Sequence, residues 1–555
     1  MTPGRIMLVL SLAVILGVPF AMSFGRAGRD LPDDAPTLIV ITPHVQQIRS
    51  EFARAFSEWH AREHGSPVEV VYLTPGGTSE IRKQLEAQYK SVLKNGDFEV
   101  SDGEVVLPSG AVGADLFFGG GSYDHGQVAR GVSVAIGDIA DPPAGLGTVL
   151  DLDDPDASLS VPMSEPAGFE QAELDALFGE NSIGPQFLYD PDQYWIGTAL
   201  SSFGIVYNID VYERLGLPLP TGFEDLTRPE LRGWVALADP RQSGSITTTF
   251  DSILGNHGWE DGWRILRGMC GNTRYFTNMS TKPPTDVSQG EAAAGLAIDF
   301  YGRGQAQTAG RGRVGYVDPA GAVYIDADPI SILRGAPHPE LARRFLRFAL
   351  TEKGQSLWQF HATDSPEGAG NPSDAAGVVL GPIHAELRRM PVRRVMYETY
   401  FEHFMDKVVP FEIASDVQNP GWRTGVQVMM GCYAIDIADE CRAAWDALCD
   451  AQADPDFPAD VLAEMERLFY AWPTTPVDES GAFTDSASPA RRIPWTEATY
   501  RDVRNSWRPT GAQAKAEIYY TRSFRRFYRA IVRMADERVI VPGVALGASS
   551  EAATP

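Results

Sequence analysis

Thr37-Leu-Ile-Val-Ile41-Thr-Pro-His44 is an apolar run that breaks into a Thr-Pro turn, and an amphipathic stretch follows it at once. The run reads as a buried strand. Val45, Ile48, Phe52, Phe56 and Trp59 then recur every three to four residues and make one apolar helix face. Thr42 suits the N-cap of that helix and Pro43 its first position. Gly65-Ser-Pro67 stops it. Val68 to Leu73 reads as a second strand, and Gly76-Gly77-Thr78-Ser79 turns the chain into a second helix carrying Ile81, Leu85, Tyr89 and Val92. Residues 95–113 form a polar insertion with the look of a hairpin. Ala114 to Phe118 is a third apolar strand, ending in Gly119-Gly120-Gly121-Ser122. Strand, helix, strand, helix, strand predicts a mostly parallel sheet with helices on its faces.

Outward from this block, residues 141–192 are rich in Asp, Pro and Gly and form a long connection. A second alternating block follows. Phe203 to Tyr207 and Trp234 to Asp239 are strand-like; Ser243-Gly-Ser245 opens a helix through Ile253, and Trp259 to Met269 is another. Gly295 to Phe300, Val314 to Val317 and Ala322 to Ile325 are further strands. His338 to Phe360 reads as one helix, residues 364–376 as a loop, and 383–535 as mostly helical with Pro-rich breaks near 473–494.

The chain has 555 residues with 44% hydrophobic side chains, ordinary for a globular protein. Its 47 Lys and Arg face 73 Asp and Glu, a formal net charge of −26. Nucleic acid is excluded as a partner, because that affinity comes from neutralising phosphates with cations. At the start, Arg5 precedes an uncharged apolar run from Ile6 to Phe20, then Ala21-Met22-Ser23. Residues 1–23 read as a signal peptide or an N-terminal anchor, and 24–36 as a polar linker. Either way the rest is expected outside the cytoplasm. Export permits disulfides, so one bond among Cys432, Cys441 and Cys449 is expected, with Cys270 alone.

Three patterns suggest chemistry and each reads more simply. His60-Ala-Arg-Glu63-His64 matches a zinc-peptidase pattern, but it closes a helix, where His is favourable against the dipole without metal. Gly310-Arg-Gly312-Arg-Val-Gly315 matches a dinucleotide pattern, but strand-like residues follow where a helix is needed. Asp151-Leu-Asp153-Asp154-Pro-Asp156 lacks the spacing of a calcium loop. No enzyme is expected.

The informative residues lie in loops after strands: Thr42-Pro-His44, Gly77-Thr78-Ser79, Gly121-Ser122, Ser201-Ser202 and Ser243-Gly-Ser245. Several open helices. Free backbone N–H groups and hydroxyls at helix starts bind anions, and ligands of open α/β sheets sit beyond the strand ends. Two such blocks predict a two-lobed ligand cleft.

With these loops stand Ala114-Asp115-Leu-Phe-Phe-Gly-Gly-Gly121, Tyr194-Trp-Ile-Gly-Thr-Ala-Leu-Ser-Ser-Phe-Gly-Ile-Val-Tyr-Asn208, Leu215-Gly-Leu-Pro-Leu-Pro220, Ala236-Leu-Ala-Asp-Pro-Arg-Gln-Ser-Gly-Ser245 and Asp328-Pro-Ile-Ser-Ile-Leu-Arg-Gly-Ala336. In this order they resemble the extracellular solute-binding proteins of ABC importers, of the ferric-iron-binding type, from about Thr37 to Trp358. The resemblance implies a two-lobed periplasmic-binding-protein fold of class II type, with a largely helical C-terminal extension. It implies capture of a solute and delivery to a membrane permease by a monomer, with no resident cofactor. The extension, braced on the first lobe, lies outside the family pattern. The expected layout is 37–135 for the first lobe, 136–290 for the second, 291–380 for the return and hinge, and 381–555 for the helical region. The solute is a ferric ion or a small phosphorylated or carboxylated organic anion. For iron, the resemblance places His44, Glu80 and Tyr301 in the metal site, beside Asp299, although the second tyrosine of the family pair is missing. A sensing subunit for a membrane signalling protein is the rival reading, since it uses the same cleft.

Overall fold

The computed structural model describes residues 31–542 except positions 33, 153, 155, 311 and 320. The apolar N-terminal run, most of the linker, Asp153 of the acidic loop and Arg311 of the glycine pattern lie outside the described residues. Among the described residues no helix is long and apolar enough to cross a membrane.

The elements that build the cleft run in this order. Strand β1 (Thr37–Ile41) leads to helix α1 (Gln46–His64); β2 (Glu69–Leu73) leads to α2 (Thr78–Asn95); β3 (Leu116–Phe118) leads to α3 (Ser122–Arg130). Then come β4 (Ile196–Asn208), β5 (Val235–Ala238), α4 (Gly244–His257), α5 (Trp259–Gly271), β6 (Thr273–Thr277), β7 (Ala294–Ile298), α6 (Asp299–Thr308), β8 (Val314–Val317) and β9 (Ile325–Leu333). Beyond them lie α7 (Pro339–Ala349), α8 (Glu352–Gln359), α9 (Arg423–Met430), α10 (Ala438–Ala453), α11 (Ala459–Phe469) and α12 (Ala512–Glu537).

The strands form one continuous path, β6-β5-β7-β4-β9-β3-β1-β2. β1 pairs in parallel with β2 and β3, and β5 in parallel with β6 and β7. Every residue of β3 and of β5 is buried, as expected where helices cover both faces of a parallel sheet. The thirteen-residue β4 joins the two halves. Its first part, through Ser202, pairs antiparallel with β9; from Phe203 it pairs antiparallel with β7. The architecture is therefore two α/β lobes with β4 crossing between them.

This crossover corrects the expected layout. Residues 132–135 pair with 158–161, Ser164 and Glu165 pair with β9, and Leu174, Phe178 and Leu188 sit in the first lobe's core. The first lobe thus extends past residue 136 to the crossing strand. The return begins at β9 rather than at 291, because β7 and β8 still pair with the distal half of β4. The extension divides: its start, with Leu387, Met390 and Val392, packs on the first lobe as expected, while helices α9 to α12 pack on the second. Phe250, Trp263 and Met269 share one core with Met429, Tyr433, Leu468 and Phe524. The Arg267 guanidinium is buried there, facing the rings of Tyr433, Trp472 and Phe524 at 4.9–5.1 Å and donating to the Ala471 carbonyl at 2.8 Å. The basic stretch Arg522 to Arg533 lies on α12, with Phe524, Phe527 and Tyr528 inward, and Arg525 paired with Glu440.

Smaller expectations also shift. The first helix begins at Gln46, not at Pro43, because Thr42 is used elsewhere: its hydroxyl donates to the Phe118 carbonyl at 2.7 Å and accepts the His44 amide. The strand expected over Ala322–Ile325 begins at Ile325. The single helix expected over 338–360 is two, because Thr351 caps a new start by accepting the Gly354 amide at 3.0 Å. All four cysteines are buried free thiols. Cys441 and Cys449 lie on one helix, a rise of about 12 Å apart, beyond disulfide reach.

Candidate ligand-binding cleft

Between the lobes lies a cavity of about 480 Å³. The first lobe lines it with the turns that open α2 and α3, the second with the turn that opens α4, and the hinge with β9 and the start of α6. The approach of the lobes is close. A Cβ on Gly244 would sit 3.1 Å from Asp124 and 3.2 Å from Ser79, so glycine lets the start of α4 meet the starts of α2 and α3. Gly119 and Gly120 have φ of +88° and +107°, and a Cβ on either would strike the His44 ring or Thr78. The glycine run is needed both for its backbone shape and for contact with those neighbours.

Of the predicted residues, His44, Gly77, Thr78, Gly121, Ser201, Ser243, Ser245, Glu80 and Tyr301 line this cavity. Four others have different employment. Thr42 is a buried turn residue. The Ser202 hydroxyl faces away and donates to Asp318 at 2.6 Å, as the alternation of a strand requires after Ser201. Ser122 faces the neighbouring cavity. Asp299 is fully buried with neither carboxylate oxygen hydrogen-bonded, and burial pushes its carboxyl up to about 7. Ser79 stands at the meeting of the helix starts.

Much of the helix-start capacity is already used. Glu80 folds back to accept the Gly77 amide at 3.0 Å. Asp328 accepts the Gly120 amide at 2.8 Å and Asp326 the Ser122 amide at 3.1 Å. These acids belong to alternate positions of β9 and project from one face. They act as caps from across the sheet, so the start of α3 is anchored to the hinge. Burial pushes the Asp326 carboxyl up to about 6, and its Oδ1 has no partner.

The residues that sequence reasoning missed are cationic. Arg389 lies on the segment after α8 and is almost fully buried in the cleft wall. Its guanidinium stacks 3.9 Å over the Phe300 ring and pairs with Asp328, while its Nε has no hydrogen-bond partner. Burial lowers its pKa to about 10, which leaves it charged at neutral pH. Arg423, the first residue of α9, stacks 4.1 Å over Tyr123 and donates to the Gly244 carbonyl at 3.0 Å and to Thr248. Both come from beyond residue 381, and no local pattern marks either as a site residue. His44 lies in Arg389's field. Its imidazole is held well below the ordinary value, first by burial and then by Arg389, and both ring nitrogens lack partners. It is a neutral donor and acceptor inside the cleft.

The zinc pattern makes no site. His60 Nδ1 contacts the Ser66 carbonyl at 2.7 Å and Nε2 contacts Arg344 at 3.0 Å. Among the described residues no group of three His, Cys, Asp or Glu side chains comes together to hold a metal.

Residues 173–379 match the family model of the bacterial extracellular solute-binding proteins. The resemblance read from the sequence is to the same family. Among curated proteins, the chain is 26% identical over 168 residues to the phosphoglycerate transport regulatory protein PgtC of Salmonella typhimurium, covering 29% of this chain and 40% of that one. It is 27% identical over 156 residues to an uncharacterized protein of Haemophilus influenzae, covering 28% and 44%. The chain therefore spans about two fifths of the curated relatives it matches. Similar solved structures include the periplasmic binding protein AfuA of Actinobacillus pleuropneumoniae with fructose-6-phosphate bound, at 14% identity, TM-score 0.45, covering 73% of this chain and 99% of that one. Another is iron-bound HitA of Pseudomonas aeruginosa, at 15% identity, TM-score 0.46, covering 71% and 98%.

Proposed function

We propose that the protein captures a small organic anion, phosphorylated or carboxylated, between its lobes outside the cytoplasm and delivers it to an ABC permease in the membrane. The observation that carries this is Arg389, a charged guanidinium buried in the cleft whose Nε has no acceptor although Asp328 pairs with its other end. A buried cation of this kind is stabilised by an anion that accepts from it, and guanidinium suits carboxylate and phosphate. Arg423 adds a second positive charge from the opposite lobe, and Thr78, Ser243 and Ser245 add hydroxyls at two helix starts. The name of the PgtC relative supports a phosphorylated, carboxylated solute.

Ferric iron fits this cleft less well. Glu80 is held by its own helix, and Arg389 stands near both His44 and Tyr301. Fe(III) wants several anionic oxygens, and a guanidinium beside the site opposes them. His44 and Tyr301 serve an anion equally well as hydrogen-bond donors.

Thermal unfolding of the chain with inorganic phosphate, 3-phosphoglycerate, fructose 6-phosphate, citrate and ferric chloride tests the reading. A ligand that binds only the folded state adds about 2.7 kcal/mol at 100 times its Kd. The expected result is a raised midpoint with at least one organic anion. A shift with ferric chloride alone would overturn it.

A further inference from the structure

A second cavity, of about 510 Å³, lies beside the cleft. Tyr123, Thr248 and Arg423 line both, so the stacked Tyr123–Arg423 pair forms the partition between two chambers. The second chamber is built from α3 and the 186–195 loop of the first lobe, α4 of the second, and the loop leading into α9.

Its wall has three features. Phe187, Tyr194 and Trp195 give aromatic surface along one side, and Phe187 is 54% exposed despite its size. Two acceptor atoms on the other side have no partner. Asp251 has no exposed surface; its Oδ1 accepts the Trp422 amide at 2.8 Å, while Oδ2 accepts nothing. Asn419 has its amide against the Tyr324 hydroxyl and its Oδ1 without a partner. Third, the charges nearly balance, with Asp190, Asp192 and Asp251 facing Arg130 and Arg423.

Each feature narrows the ligand. Orphaned buried acceptors are costly and call for a donor. Balanced charge favours neither a strong anion nor a strong cation. Aromatic rings offer flat apolar faces beside those polar edges. A carbohydrate has all three complements: hydroxyl donors, no charge, and apolar C–H faces. We propose that this chamber is a second binding subsite that takes a neutral polyhydroxylated unit, a sugar ring. It is distinct from the anion cleft and stands whether or not that reading holds. The ring has two sources: a free sugar, or the sugar part of a phosphorylated solute reaching past the Tyr123–Arg423 partition.

Calorimetric titration of the full chain separates them. The probes are glucose, galactose, ribose and maltose, then inorganic phosphate, then glucose 6-phosphate and ribose 5-phosphate. Saturable binding of a neutral sugar identifies a free-sugar subsite. A sugar phosphate that binds at least tenfold tighter than inorganic phosphate identifies the solute's own ring. In either case Asp251→Asn, which keeps the acceptor for the Trp422 amide and replaces the orphan acceptor with a donor, should weaken the sugar-dependent binding about tenfold. It should leave inorganic phosphate unchanged. Tyr194→Ala, from the opposite lobe, is expected to weaken the same binding, so a folding defect in one variant does not decide the outcome. The proposal is overturned if no neutral sugar binds and no sugar phosphate outbinds phosphate. It is equally overturned if both variants bind sugar as the parent chain does. Failure of phosphate with retained sugar binding would retire the anion cleft and leave this subsite.

Discussion

The two lobes bury their cores in different ways. The first is closed by its own sequence: β1 to β3, α1, and the returning β9, α7 and α8 supply Phe52, Phe118, Ile330, Phe345 and Trp358. The second is half a domain until the chain's last third arrives. Its α5 presents Trp263, Leu266 and Arg267, and helices α9 to α12 answer with Tyr433, Phe469 and Phe524. The chain from Arg423 on is therefore part of the second lobe and sends Arg423 into the cleft, while Leu387, Met390 and Val392 before it belong to the first lobe's core. One segment therefore both completes that lobe's core and lines the cleft.

Removing residues 423–555 should break the comparison most severely. The second lobe is expected to lose its amide protection in hydrogen exchange, while the first lobe keeps protected strands. Equal loss in both lobes would show that they fold as one unit. Next in size, Phe524→Ala is expected to cost about 3–5 kcal/mol in chemical denaturation, and Phe52→Ala a similar amount in the other core. The two should differ in place: the first exposing α5 and α12, the second α1 and β3, by exchange.

Asp299 sharpens the comparison at the hinge. Burial holds its folded pKa at about 7, above the ordinary carboxylate value of 3.8. The native state therefore binds more protons than the unfolded one between these values. Stability should fall as pH rises through that window and level off above it. Asp299→Asn is expected to remove this fall, raising the midpoint at pH 8 by an amount worth on the order of 1–4 kcal/mol and little at pH 4. An unchanged profile would mean that the carboxylate finds water or a partner. The clearest effect on binding is Arg389→Gln. Organic-anion affinity should drop at least tenfold, or about 1.4 kcal/mol, by calorimetry, and the midpoint of the free protein should fall as well, because Asp328 loses its buried partner.

Where the sequence reading failed, the competing interaction can be named. Thr42 has the right chemistry for an N-cap, yet the Phe118 carbonyl claimed its hydroxyl. Glu80 has the right chemistry for a metal ligand, yet the Gly77 amide, three residues back, is nearer. Ser201 and Ser202 were indistinguishable as a pair until the strand's alternation sent one into the cleft and the other to Asp318. The lobe boundary was misplaced because residues 141–192 look like a connection by composition, while 158–161 pair with 132–135, and Ser164 and Glu165 pair with β9.

Local chemistry determined a good deal by itself. Apolar periodicity specified β1, α1, β2, α2 and β3 in order, because a helix face and a strand each carry their period in neighbouring residues. The glycine-rich turns that border the cleft were legible for the same reason: positive φ and close approach are demands made on single residues. The tertiary structure alone decided which lobe the last helices complete, and that Arg389 and Arg423 enter the cleft. Neither outcome depends on neighbours in sequence. Both follow from burying apolar area and charge between residues far apart in the sequence, where only the folded chain brings the partners together.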